Sequence, residues 1–145
     1  TERHIHTAPA TASAIAAAQA DIDAAIAQAL AVVPAPRALT LVGVAGTVTT
    51  VAAIALGLTE YDSAAVDGAV ITAEQVAQVS ERLLAMTREE RLALPGVQEG
   101  RADVIAAGSL ILRRIMDLTG ADHLVVSERD ILDATAWRLA DDTDW

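Results

Sequence analysis

The chain has 145 residues, enough for one domain, and its core must be built from Ala, Leu, Val and Ile, because there is no Phe, one Tyr and two Trp. The absence of Cys excludes disulfides and thiolate chemistry and fits a reducing compartment. A net charge of −10 argues against broad electrostatic binding to nucleic acid or acidic lipid, although an arginine site for a phosphate stays open.

No stretch reads as a membrane span, since the apolar region from Ala8 to Val33 is broken by Gln and Asp. No basic segment leads into an apolar one as in a secretion signal. A soluble, cytoplasmic α/β domain is expected. Thr1-Glu-Arg-His-Ile-His6 is short and charged. His4 and His6 would share one face of a strand, but no nearby carboxylate pair completes a metal set, so no metal site is assigned.

A long helix is predicted from Thr7 to Val33, with Ile15, Ile22, Ile26, Leu30 and Val33 at helical spacing and Pro34-Ala-Pro36 as its stop. Leu39–Val44 is a short, nearly continuous apolar run, as in a strand buried on both faces. It meets Gly43-Val-Ala-Gly-Thr47, a turn without bulky side chains that opens a helix ending near Gly57. Helix starts carry unpaired N–H groups and the positive end of the dipole, so this turn can hold an anion. The motif is neither a dinucleotide fingerprint nor a Walker loop, lacking the third glycine of one and the lysine of the other.

Val66–Ile71 suggests a short strand, and Thr72 with Gln75 forms a capping box for a helix whose inner face is Val76, Val79, Leu83 and Met86. Thr87 with Glu90 opens a further short turn that closes at Leu94-Pro-Gly96. Glu99–Asp103 leads into a buried helix running to Thr119 and ended by Gly120. Asp103 at its mouth can cap it, and Arg101 can pair with Asp103 or aim its fork at a phosphate. His123–Ser127 is the next buried strand, and Ile131 to about Leu139 the last helix, before an acidic tail.

Four segments in register resemble one family: Val42-Gly-Val-Ala-Gly-Thr47, Leu94-Pro-Gly-Val97, Arg101-Ala-Asp-Val-Ile105 with Gly108, and Val125-Val-Ser-Glu-Arg-Asp-Ile-Leu132. Together they resemble the C-terminal part of the catalytic core of the exopolyphosphatase / guanosine pentaphosphate phosphohydrolase family, over Thr1 to about Leu139. The resemblance implies an α/β, partial ribonuclease-H-like fold of the actin-like ATPase / sugar-kinase superfamily. The chain, 1–145, would be a helix-rich portion of the second lobe, with two or three strands, and the first lobe would lie upstream.

The implied activity is removal of terminal phosphate from polyphosphate or guanosine pentaphosphate, with Mg²⁺ or a similar divalent ion held mainly by the other lobe. The family's catalytic glutamate belongs to that lobe, so no catalytic or metal-binding residue is assigned here and the isolated chain is expected to be inactive. Gly43, Ala45, Gly46, Thr47, Arg101 and Asp103 are the implied substrate-phosphate residues, with Arg91 a further candidate of the same kind. A non-catalytic relative that binds or senses polyphosphate or an alarmone is the alternative. Ala45 stands where many relatives have Gly, as does Ala134, and each added methyl narrows the approach to the backbone. A strand set this small would expose sheet edges or faces, which favours self-association.

Overall fold

The computed structural model describes residues 3–33 and 40–141. The turn at Pro34-Ala-Pro36 and the tail beyond Asp141 lie outside the described residues. Eleven elements follow one another among the described residues: α1 (Ala12–Val32), β1 (Val42–Val44), α2 (Ala45–Ala55), α3 (Ser63–Val66), β2 (Val70–Thr72), α4 (Ala73–Ala85), α5 (Arg88–Leu92), α6 (Glu99–Ala102), α7 (Ile105–Thr119), β3 (His123–Ser127) and α8 (Ile131–Asp141). The result is a helix-rich α/β unit with one small sheet.

The sheet has the order β1-β3-β2, with β1 parallel and β2 antiparallel to the central β3. Gly43, Ile71, Leu124 and Val126 are buried beneath the helices. Val42, Val44 and Val70 alternate to the other face and are 55%, 47% and 57% exposed. The expectation of strands buried on both faces is therefore corrected: among the described residues helices cover one face, and the other is exposed at Val42, Val44 and Val70. Helices α2 and α4 pack on the strands, α7 packs on both of those helices, and α1 packs on α7.

Small residues set these distances. A Cβ on Gly43 would stand 2.7 Å from Val48 Cγ1 and 3.0 Å from Leu124 Cδ1, so the bare backbone lets α2 lie close on the sheet. A Cβ on Gly108 would stand 2.8 Å from Thr47 Cγ2, which lets α7 approach α2 equally closely. The core around them is aliphatic, with Val51, Ile71, Leu83, Ile105, Leu110 and Leu124 almost fully buried.

Local chemistry fixes the element ends. Thr72 accepts from the Gln75 amide at 3.2 Å while Gln75 accepts from the Thr72 amide at 2.9 Å, and Thr87 and Glu90 repeat the device at α5. Gly120 closes α7 at φ 72°, in the left-handed region open to glycine.

Four expectations change. Helix α1 starts at Ala12 rather than Thr7, because Thr11 accepts from the Ala14 amide and so caps it. Residues 4 and 6 lie in no strand: His4 bonds Asp21 on α1 at 2.7 Å and His6 bonds the Arg3 carbonyl at 2.9 Å. The segment 66–71 splits into the end of α3 and the start of β2, since Asp62 accepts from the Ala64 and Ala65 amides and nucleates a helical turn. By length and composition, α1 is also apolar enough to cross a membrane, contrary to expectation. Mid-helix it carries Asp23, which Arg114 grips with two bonds of 2.7 and 2.9 Å, and Ala18 and Ile22 are buried in the core.

Candidate functional site

The parallel strands β1 and β3 end side by side, and the chain beyond each opens onto an open hollow of about 360 Å³. Ligands of α/β sheets sit characteristically beyond the carboxyl ends of parallel strands. Ala45, Gly46, Thr49, Tyr61, Gly96, Gln98, Arg101, Glu128 and Asp130 line this hollow. They come from four segments of the chain.

Its floor is the start of α2. Val44 precedes the helix and gives no side-chain cap, so the first-turn amides have no side-chain partner of the usual kind. Ala45 enters the helix at φ 69° and is the non-glycine residue with positive φ among the described residues. An alanine in this region costs about 1–2 kcal/mol, a strain characteristic of functional turns. Gly46 follows, and Arg101 lies over it: a Cβ there would meet the guanidinium carbon at 2.5 Å and its terminal nitrogens at 2.6 and 2.8 Å. Only a glycine admits the arginine head so close to the helix start. A planar cation with several donors thus stands over the positive end of a helix dipole, and both features suit a phosphate.

The opposite wall is built by Tyr61. Its ring packs on Gly96, where a Cβ would stand 2.6 Å from Tyr61 Cδ2, and Gly96 turns at φ 75° to make the fit. Its phenol donates to Glu128 just beyond β3. Burial and that bond push the phenol's pKa up, so it stays a donor at neutral pH. Asp67 holds the Glu128 amide at 3.0 Å, which ties the turn after β3 to the residue following α3. Asp130 is engaged in capping α8: its carboxylate accepts from the Leu132 amide at 2.7 Å, and Asp133 accepts from the Asp130 amide at 2.9 Å.

Among the residues expected from sequence, the structure brings Ala45, Gly46 and Arg101 together. Gly43 and Thr47 lie beside them but turn inward, against Leu124 and Gly108 respectively. Asp103 pairs with Arg88 at 3.0 Å, so neither the expected pair with Arg101 nor a cap on α7 forms. Arg91 does not line the hollow; it is 2% exposed and donates to the carbonyls of Leu83 and Ala102 at 2.9 and 3.2 Å. Tyr61, Glu128 and Gln98 were not legible as site residues, whereas the hydroxyl of Thr49 near the start of α2 was. The one sequence signal was that Tyr61 is the single tyrosine of a chain nearly devoid of aromatic rings.

Among the described residues no group of three or more His, Cys, Asp or Glu side chains stands together as a metal-binding set. Glu128, already bonded to Tyr61, is the carboxylate at the hollow that caps no helix. The arrangement is suited to holding and orienting an anion.

The description of the Ppx/GppA phosphatase family fits residues 1–131 of this chain. Exopolyphosphatase 2 of Mycobacterium tuberculosis is 40% identical over 144 residues, covering 97% of this chain and 45% of that protein. A bifunctional 3-dehydroquinate synthase/phosphatase of Fusobacterium nucleatum is 31% identical over 93 residues, which are 64% of this chain and 14% of that protein. The crystal structure of an exopolyphosphatase-like protein superposes with a TM-score of 0.93 at 36% identity, covering 98% of this chain and 47% of the other. That of an Aquifex aeolicus Ppx/GppA phosphatase, type II variant, superposes at 0.82 with 25% identity, over 94% of this chain and 44% of the other. The chain spans less than half the length of each of these relatives.

Proposed function

Since the chain belongs to the Ppx/GppA phosphatase family, we propose that it forms one wall of a cleft in which terminal phosphate is released from inorganic polyphosphate or guanosine pentaphosphate. The observation that carries this reading is the Arg101 guanidinium seated over Gly46 at the uncapped start of α2. Phosphoryl transfer is driven by positioning and by neutralising charge on the phosphoryl oxygens, and these groups serve both needs. Arg101 would bind two oxygens of one phosphate with its fork, and the amides after Ala45 would donate to a neighbouring oxygen. Tyr61 holds Glu128 aside, so that the carboxylate does not compete with phosphate for Arg101.

The small sheet would be part of a ribonuclease-H-like sheet in the second lobe of an actin-like ATPase / sugar-kinase fold. Its three-stranded mixed order and its uncovered Val42, Val44 and Val70 face support this. The carboxylate that activates water would come from the other lobe. A divalent ion such as Mg²⁺, held mainly there, would supply further charge neutralisation at the phosphate. Within these 145 residues the role is to bind and orient.

A second reading, a relative that binds polyphosphate or an alarmone without turnover, is favoured by Ala45, whose methyl narrows the approach to the turn at a φ of 69°. One assay separates the two: phosphate release from polyphosphate and from guanosine pentaphosphate, with Mg²⁺, by this chain and by a protein carrying both lobes. Release by the two-lobe protein alone is expected, with Arg101→Ala lowering it roughly 10- to 100-fold, the worth of a lost charge-assisted fork. Release by the isolated chain at the same rate, or an Arg101→Ala protein of full activity, overturns the assignment of roles. Binding without release by the two-lobe protein selects the second reading.

A further inference from the structure

Arg101 is carried by α6, a helix of four residues that cannot hold its own place. Helix α5 fastens it at three points. Arg88 Nε donates to Asp103 Oδ1 at 3.0 Å, and Arg88 Nη2 stands 3.7 Å from Glu99 Oε1. Arg91 Nη1 donates to the Ala102 carbonyl at 3.2 Å, while its Nε donates to Leu83 in the last turn of α4 at 2.9 Å.

Positions 99, 102 and 103 share one face of a helix at about 100° per residue, and position 101 falls on the opposite face. Turning the side chains of 99 and 103 toward α5, with the Ala102 carbonyl held by Arg91, aims Arg101 the other way, and the residue it reaches is Gly46. Arg91 is an expensive fastener. It is buried, desolvation pulls its pKa down with Asp103 opposing, and its Nη2 has no hydrogen-bond partner among the described residues. An apolar residue could fill the same space, but it could not bond the carbonyls that close α4 and α6.

We propose that Arg91 and Arg88 are positioning residues for the phosphate site: α5 fixes the height and rotation of α6, and so places the Arg101 guanidinium over the start of α2. This inference rests on the reading of Arg101 as a phosphate ligand. It also changes the part assigned to Arg91 and Asp103, from touching phosphate to holding the arginine that does.

The test is a double-mutant cycle on the 145-residue chain, read by titrating tripolyphosphate and following amide shifts, which registers weak binding. Arg91→Met is expected to weaken binding about fivefold or more in the unchanged background and to add nothing in the Arg101→Ala background. Arg91→Lys, which keeps the charge and one bond, is expected to restore part of the loss. Equal losses in both backgrounds overturn the proposal, because Arg91 would then act without Arg101. Full binding by Arg91→Met beside a weakened Arg101→Ala overturns it too, while the phosphate reading stands. An Arg101→Ala chain that binds as well as the unchanged one brings down that reading and the proposal with it. If Arg91→Met does not fold, Arg88→Met, on the more exposed side of the same bracket, carries the cycle with the same outcomes.

Discussion

Two helices leave strands of the same sheet and begin in opposite ways. Helix α4 leaves β2 through a complete capping box, in which Thr72 and Gln75 satisfy each other's amides. Helix α2 leaves β1 with no side-chain cap, a strained Ala45 and a glycine beneath an arginine head. Each start has several N–H groups without an intrahelical partner. At α4 the chain supplies acceptors and the end is closed. At α2 it supplies a second donor instead, Arg101, so the end suits an anion. The stability that a cap would give is provided from behind, where Thr49, Thr50 and the next four residues of α2 are all buried.

The contrast can be broken from either end. The largest effect is expected from Gly46→Ala, whose methyl would occupy the place of the Arg101 guanidinium 2.5 Å away. Tripolyphosphate affinity should fall roughly tenfold, the worth of one charge-assisted contact. The melting temperature should hold or rise, because the displaced group ends a flexible side chain and alanine favours a helix over glycine by about 0.5–1 kcal/mol. Calorimetric titration and thermal unfolding of the same variant check both halves. A lower melting temperature with full affinity would mean that Gly46 serves packing alone.

Thr72→Ala should give the converse pattern. Loss of the cap is expected to cost about 1 kcal/mol of stability, read by denaturant unfolding, with affinity unchanged. A drop in affinity equal to that of Gly46→Ala would erase the distinction between the two helix starts.

The smallest effect lies far from both, where Asp23 of α1 meets Arg114 of α7. The Arg114 hydrogen bonds hold the Asp23 carboxyl below its ordinary value of 3.8, against some desolvation. A carboxyl lowered by folding stabilises above its unfolded pKa, and that contribution is lost as pH falls through the folded one. Asp23→Asn should therefore flatten the acid side of the melting-temperature profile below about pH 4 and lower it slightly at neutral pH. An unchanged acid slope would show that this partly exposed pair is screened to nothing, as many surface pairs are.

What the sequence disclosed follows from the range of the interactions. Both capping boxes, the left-handed end at Gly120 and β3 are written in neighbouring residues, and each was legible. The glycine turn announced a helix start that could take an anion. The walls of the hollow were not announced, since Tyr61 meets Glu128 across 67 positions and no local pattern encodes that pairing. Charges near α6 were visible as charges but not as directions. Asp103 has Arg101 two residues away, yet helical geometry turns it to Arg88, 15 residues back. Arg91 was read as a further candidate for the phosphate, and only the packing of α4, α5 and α6 together buries it away from the hollow.

Tyr61 has a practical bearing as well. It is the one tyrosine in a chain without phenylalanine, and its ring forms part of the wall opposite Arg101. The molecule therefore carries its own label. Tyrosine ring protons in an unlabelled sample belong to this single side chain, and with two tryptophans the aromatic region of a one-dimensional proton spectrum stays sparse. Whatever enters the hollow is reported there without isotopes, dyes or an engineered probe.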